Sequence, residues 1–302
     1  MGIDQFHTGI VSRMRSVAQP VAGRCGVFWY VAGMSTSPPP AGRAGADPER
    51  RFGGIARLYG RAALARFHAA HVCVLGIGGV GSWAAEALAR SAIGELTLVD
   101  LDHVAESNIN RQLPALTATL GMAKVGVMRT RICEINPDCR VHAVEDFVTV
   151  DNLATLLAGP FDYIVDCIDG FRTKARLIAH CRRNRLRVIT VGGAGGQTDP
   201  TRIRVSDLSR TEHDALISRT RKLLRTEYGF PKNPRRRFDV PCVYSLENPV
   251  FPAADGSISP ARPDHAGGGL TCAGGLGSVM PVTAGFGLAA AAHVLNKLSV
   301  GH

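Results

Sequence analysis

Apolar and polar positions along this chain fall in blocks. A continuous apolar run at residues 71–75 (His-Val-Cys-Val-Leu) predicts a strand buried on both faces. An Ala/Leu-rich stretch over 82–91 has helical character, and a second buried run at 96–99 closes on Asp100. The pattern then repeats: helix over 118–135 with a stop at Asn136-Pro137, strand at 140–144, strand at 163–165 ending in Asp166, basic helix over 172–183, strand at 187–191. Upstream, residues 51–67 read as one helical lead-in. Strands alternating with helices at this spacing predict an α/β fold with a doubly wound, mostly parallel sheet, its ligand crevice at the strands' carboxyl ends.

From residue 210 onward the alternation ends. A charged helix, a basic turn at Arg235, Arg236 and Arg237, and a loop over 253–269 are expected there. Residues 279–298 carry no charge before Lys297 and approach the roughly 20 apolar residues of a membrane helix. Pro281, Gly285, Gly287 and His293 dilute that stretch, so a buried core or dimer-interface helix is the expectation. The chain therefore divides into a disordered extension over 1–50, a core over 51–208, and a C-terminal extension over 209–302 that completes the same fold.

Composition narrows the classes. With 302 residues, 45% hydrophobic and 20% charged, the chain is long enough for a large core, and 34 Gly plus 17 Pro is too few for a low-complexity chain. The formal charge of +10 favours an acidic partner without choosing among nucleic acid, nucleotide phosphate and anionic membrane. Eight scattered cysteines form no CxxC pair, and Cys73 and Cys167 sit in apolar runs, as reduced core thiols of a cytoplasmic protein do. The first fifty residues carry Arg13, Arg15, Arg24 and Arg43 but only Asp4 as an acid before Asp47. They read as a dispensable extension, either a targeting segment or an upstream start ahead of Met34.

The chemistry concentrates at the predicted strand ends. Gly76-Ile77-Gly78-Gly79-Val80-Gly81 follows the first strand and opens the first helix, an arrangement in which backbone N–H groups and a helix N-terminus cradle phosphates. Asp100 lies where a ribose-binding acid belongs. Taken singly, glycines only permit a turn, Asp166 or Asp169 caps a helix, and Arg111 or Lys124 is a solvated charge. The ordered set is more specific: Asp100-Leu101-Asp102, Asn108-Ile109-Asn110-Arg111-Gln112, Lys124, and Asp166-Cys167-Ile168-Asp169.

On these motifs the chain, over roughly 51–205, resembles the ubiquitin-activating-type adenylating superfamily, which includes the activators of sulfur-carrier proteins for molybdopterin and thiamine synthesis. The resemblance implies a Rossmann-like adenylation core that binds ATP and Mg²⁺ and works as a homodimer. It implies nucleotide binding by Gly76, Gly78, Gly79, Gly81, Asp100, Asp102 and Asn108. Arg111 and Lys124 would neutralise charge moving onto pyrophosphate, and Asp169 would hold Mg²⁺. One departure is Arg51-Phe52-Gly53-Gly54-Ile55, which puts Gly54 where the superfamily carries an arginine that enters the partner subunit's site. Arg51 or Arg57 is the expected replacement.

A closer resemblance runs from residue 51 nearly to the C-terminus. Residues 51–60, Gly192-Gly193-Ala194-Gly195-Gly196-Gln197, and Val240-Pro241-Cys242-Val243-Tyr244-Ser245 are similar to the bacterial tRNA threonylcarbamoyladenosine dehydratase family. That likeness implies ATP-dependent cyclisation of the modified adenosine beside the anticodon, with tRNA as partner. Sulfur-relay proteins are further candidate partners. The Gly192–Gly196 loop is a candidate for holding a monovalent cation, and Cys242 is as well placed to be an inert buried thiol as a nucleophile. Residues 210–237 supply a basic surface suited to RNA phosphates, with Arg219, Arg221, Lys222, Arg225, Arg235, Arg236 and Arg237 as candidates. Competing readings are adenylation of a small carrier protein's C-terminal glycine, a non-catalytic scaffold, and an NAD-dependent oxidoreductase.

Overall fold

The computed structural model describes residues 47–253, 255–261 and 276–300. The expectation of disorder over most of residues 1–50 lies outside the described residues. Asp47, however, already caps a helix, its Oδ1 accepting from the N–H of Glu49, so residues 47–50 fold with the core.

The elements run α1 (Pro48–Tyr59), α2 (Arg61–Ala69), β1 (His71–Leu75), α3 (Gly81–Arg90), β2 (Glu95–Val99), α4 (Lys124–Ile135), β3 (Arg140–Val144), α5 (Leu153–Leu156), β4 (Tyr163–Asp166), α6 (Phe171–Arg183) and β5 (Val188–Val191). Then come β6 (Ile203–Asp207), α7 (Ala215–Glu227), β7 (Pro241–Ser245), the short pair β8 (Phe251–Pro252) and β9 (Ile258–Ser259), and α8 (Met280–Ser299). Seven strands form one sheet in the order β3-β2-β1-β4-β5-β7-β6, parallel except for β6, which runs antiparallel to β7. Chain order reverses between β1 and β4, so their carboxyl ends flank the switch point where this architecture opens a crevice.

Both sheet faces are covered. Val72, Val74, Leu96 and Leu98 pack with α2, α3, α4 and α8 on one side. Cys73, Leu75, Ile164 and Cys242 pack with α6 and α7 on the other. This explains the continuous apolar runs: strands buried on both faces have no reason to alternate. The small residues of α8 also find their cause here. A Cβ on Gly287 would stand 2.5 Å from the Val80 carbonyl, so the glycine lets α8 lie directly on α3. Among the described residues no helix is long and apolar enough to cross a membrane.

Three expectations about boundaries are corrected. The lead-in is two helices, broken at Gly60, whose φ of +88° leaves the helical region. The helix expected over 118–135 starts only at Lys124. Ahead of it, Val104 N–H donates to the Met122 carbonyl and Gly121 N–H to the Val104 carbonyl, a local pairing that competes with helix. Beyond residue 200, β6, β7 and the β8–β9 pair extend the fold with strands absent from the sequence reading.

Glu86 ties α3 to α4. It is 6% exposed and accepts from Arg90 Nε at 2.7 Å and from Arg131 Nε at 2.7 Å and Nη2 at 3.0 Å. Burial alone would push this carboxyl up, but the two guanidinium groups overcome it and hold it below the usual value of 4.5. A depressed folded-state pKa stabilises above the unfolded value and is lost as pH falls through the folded one. Glu86→Gln is therefore expected to cost about 1–2 kcal/mol at neutral pH. In urea titrations at successive pH values, the gap from wild type should close as the medium is acidified below the carboxylate range.

Candidate active site

A cavity of about 590 Å³ opens at the carboxyl ends of β1, β2, β4 and β5. Its floor is the turn after β1. Gly81, the first residue of α3, is buried with no room for a side chain, since a Cβ would meet the Gly76 carbonyl at 1.8 Å. The close turn brings Gly78, Gly79 and Val80 to the cavity wall. Among the described residues no side chain caps α3; Ser82 N–H donates to the Gly78 carbonyl at 3.2 Å, and the rest of the helix N-terminus faces the cavity as a place for an anion. A Cβ on Gly79 would lie 3.4 Å from Arg111 Cγ, which keeps that guanidinium arm against the glycine turn.

Asp100 at the end of β2 is held by two backbone donors, Ile77 N–H to Oδ2 at 2.6 Å and Asp102 N–H to Oδ1 at 2.8 Å. Burial nevertheless pushes its carboxyl up. Each oxygen keeps lone-pair capacity for hydroxyl donors. Lys124, 4% exposed at the start of α4, donates to Asp102 Oδ2 at 2.8 Å, so the two residues enter the site as an ion pair. Asn108 Oδ1 accepts from Ala105 N–H and fixes the turn leading to Arg111.

The Arg111 side chain rests on the Ser107 carbonyl at 2.8 Å and Asn110 Oδ1 at 2.9 Å, both through Nη1. Its backbone carbonyl receives Trp83 Nε1 at 3.0 Å. Thus α3 anchors the Arg111 backbone while the rest of the guanidinium stays available. Asp169, exposed beyond β4, completes the wall. Of the ten nucleotide-site residues expected from sequence, all but Gly81 line this cavity, and Gly81 shapes its floor.

Lys174 has no mark in the sequence, and the fold gives it and three motif residues their surroundings. Asp166 and Lys174, both fully buried, form an ion pair of 2.9 Å behind the 166–169 turn. Thr190 Oγ1 donates to Asp166 Oδ2 at 2.6 Å, and Ile168 N–H to Oδ1 at 3.1 Å. These partners leave Asp169 as the more accessible carboxylate. Gln112 faces Gly78, and its buried Oε1 has no hydrogen-bond partner among the described residues; Gln197 Oε1, across the cavity, is in the same state. Buried orphan acceptors in a cavity wall fit a ligand that supplies donors.

The far half of the cavity is built from the Gly192–Gly195 turn, Gln197 and the start of α7. Asp214 caps α7 through Ile217 N–H and also accepts from Gly193 N–H at 2.8 Å. Burial pushes its carboxyl up despite those bonds. A Cβ on Gly192 would meet Asp214 Oδ2 at 2.0 Å, so the glycine is what admits this carboxylate. Of the loop's carbonyls, those of Gly193 and Gly196 already accept from Gln197 Nε2 and Val250 N–H. Cys242 is fully buried in β7, and desolvation raises its thiol well above the ordinary range, the surroundings of an inert core thiol.

The basic candidates separate. Arg221 turns inward to donate to the Thr211 carbonyl and hydroxyl, and partly buried Arg225 lies 5.2 Å from the Phe238 ring centroid. Both guanidinium groups are engaged within the protein, unlike those of the exposed candidates. Arg219, Lys222, Arg235 and Arg236 are exposed, and Arg237 is exposed beside Asp207 at 3.7 Å. Arg51 donates to the Glu134 and Ile135 carbonyls at the end of α4, which leaves Arg57 as the exposed arginine beside Gly54.

The chain is similar to known proteins over most of its length. The sequence pattern of the ThiF family matches residues 53–301. The tRNA threonylcarbamoyladenosine dehydratase of Haemophilus influenzae is 48% identical over 250 residues, spanning 83% of this chain and 94% of the relative. Its Escherichia coli K12 counterpart is 50% identical over 250 residues, spanning 82% and 93%. The E. coli enzyme TcdA, solved in complex with ATP, superposes with a TM-score of 0.74 at 48% identity, covering 83% of this chain and 94% of that one.

Proposed function

This chain belongs to the ThiF family, and from that membership and the cavity's chemistry we propose that it is an ATP-dependent tRNA threonylcarbamoyladenosine dehydratase. The observation that carries the reading is the convergence of Asp100, Arg111, the Asp102–Lys124 pair and Asp169 on one cavity with an uncapped helix N-terminus.

ATP enters as a substrate. The Gly78–Gly79 turn and the first turn of α3 receive its phosphates, and Asp100 accepts from the ribose hydroxyls. A carboxylate is a poor electrophile because its oxygen is a poor leaving group. Attack of the modified nucleoside's carboxylate oxygen on the α-phosphorus makes an acyl-adenylate and releases pyrophosphate. A nucleophile within the same side chain then attacks the acyl carbon, closes a ring and expels AMP with the former carboxylate oxygen. The net change in the nucleoside is loss of one water. Arg111 lies where it can follow charge onto the departing pyrophosphate, and Lys124, held on Asp102, adds positive potential beside it. Asp169 would hold Mg²⁺, which supplies charge neutralisation at phosphate oxygens when bound.

No acyl transfer to a thiol is needed, in keeping with the buried Cys242. The Gly192–Gly195 turn, Gln197 and Asp214 are the walls left for the threonylcarbamoyl group, and a monovalent cation held by the remaining loop carbonyls belongs to the same proposal. Arg219, Lys222, Arg235 and Arg236 form the tRNA-phosphate surface. We also propose a homodimer. Ile109, Leu116, Met122, Met280 and Leu288 are 42–57% exposed, and the Asn110 amide donates to the Ser278 carbonyl, so the two apolar segments adjoin. Arg57 is then the side chain offered to the partner's site. Sulfur-relay proteins as partners and a cytoplasmic location complete the proposal.

The adenylation step has its own test. With a heavy-oxygen label in the carboxylate of the modified tRNA, mass spectrometry should find the label in AMP. Unlabelled AMP alongside dehydrated nucleoside would exclude an acyl-adenylate.

A further inference from the structure

At the amino ends of β1, β2 and β3, the opposite end of the sheet from the nucleotide cavity, three potential ligands converge. His71, Glu95 and His142 each bring one ligand atom within 4.8 Å of the others. The sheet register dictates this. His71 pairs with Glu95 across β1 and β2, Thr97 pairs with His142 across β2 and β3, and residues two apart on a strand share a face. Glu95 Oε1 stands 2.8 Å from His142 Nε2 and 3.7 Å from His71 Nδ1. Ligands on a tetrahedral ion at zinc's bond lengths lie about 3.3 Å apart, between those two separations.

We propose that His71, Glu95 and His142 form a binding site for a divalent first-row transition ion of the zinc type, clamping the starts of three parallel strands. Two imidazoles and one carboxylate are a donor set zinc accepts, with room for a water as the fourth ligand. The outer contacts are those a metal site requires. The His71 Nε2 proton placed on Thr97 Oγ1, 2.8 Å away, leaves the Nδ1 lone pair facing Glu95. Arg140 occupies Glu95 Oε2 and leaves Oε1 to the ion. His71 is 9% exposed and Phe161 packs edge-on against its ring at 4.6 Å, so the imidazole is fixed in place. Burial lowers its pKa, favouring the neutral form that binds metal, while Glu95 and Asp162 act in the opposite direction and His142 and Arg140 in the same one. On binding, His142 takes the Nδ1–H tautomer so that its Nε2 lone pair faces the ion, and its contact with Glu95 gives way to two metal–ligand bonds.

The test is equilibrium dialysis of purified full-length protein against Zn²⁺, beside His142→Gln and Glu95→Gln, with thermal unfolding of each in metal-free buffer and with added Zn²⁺. The proposal predicts one ion per chain in wild type, at least tenfold weaker binding in both variants, and a Zn²⁺-dependent rise in Tm confined to wild type. Equal affinity and stoichiometry in the variants, or no such ion in wild type, would overturn it. Co²⁺ substitution reads the ligands on wild type itself, independently of how the variants fold. Visible bands without thiolate charge transfer are expected, and a thiolate band would place the ion on cysteine and refute the assignment.

Discussion

Arg111→Ala is expected to lower kcat by about 10²–10³-fold, the effect of removing one contact aimed at charge that develops in the transition state. The substitution leaves the local fold anchored. The fixed feature of this residue is its backbone carbonyl, which accepts from Trp83 Nε1, and alanine retains it. ATP affinity should fall much less than turnover, because the contacts proposed for the glycine turn and Asp100 are left in place. Single-turnover AMP formation with modified tRNA, run beside equilibrium ATP binding, separates the two. Near-normal turnover would remove Arg111 from the charge-stabilising role.

The second large effect is on stability. Lys174→Met should destabilise the protein by about 3–5 kcal/mol, since it leaves the Asp166 carboxylate buried without its cation. Thr190 and the Ile168 N–H would remain as donors, but they bring no opposite charge. Pairing the change with Asp166→Asn should recover much of the loss in urea denaturation. If the single and double variants unfold at the same midpoint, the pair does not act as a coupled charge. The same pair supports the turn that carries Asp169, so a loosened turn should weaken the Mg²⁺ binding proposed for that carboxylate before the fold is lost.

The sequence made the parallel core legible for a physical reason. Strands β1, β2 and β4 are buried on both faces and therefore uniformly apolar, and the glycine turn after β1 has no substitute where Gly81 packs on the Gly76 carbonyl. The cavity that carries the proposed nucleotide site was legible too, because its lining residues sit at the ends of those strands. The rest depended on contacts distant in sequence. β6 and β7 pair across more than thirty residues, and β6 is an edge strand that is largely exposed and shows no regular burial pattern, which gives a weak local signal. Lys174 reads as one more cation on a basic helix until the fold closes it against Asp166. Arg221 and Arg225 count as surface charge in a sequence, yet their neighbours bend them inward. Asp214 has no mark in the sequence as a site residue, because its place in the cavity depends on Gly192, more than twenty residues away.

The most direct measurement follows ATP cleavage by the purified protein with tRNA carrying threonylcarbamoyladenosine and with the same tRNA unmodified, reading AMP and the nucleoside mass together. AMP should form only with the modified tRNA, in step with loss of one water from the nucleoside. AMP release that ignores the modification, or cleavage without a change in nucleoside mass, would contradict the dehydratase assignment.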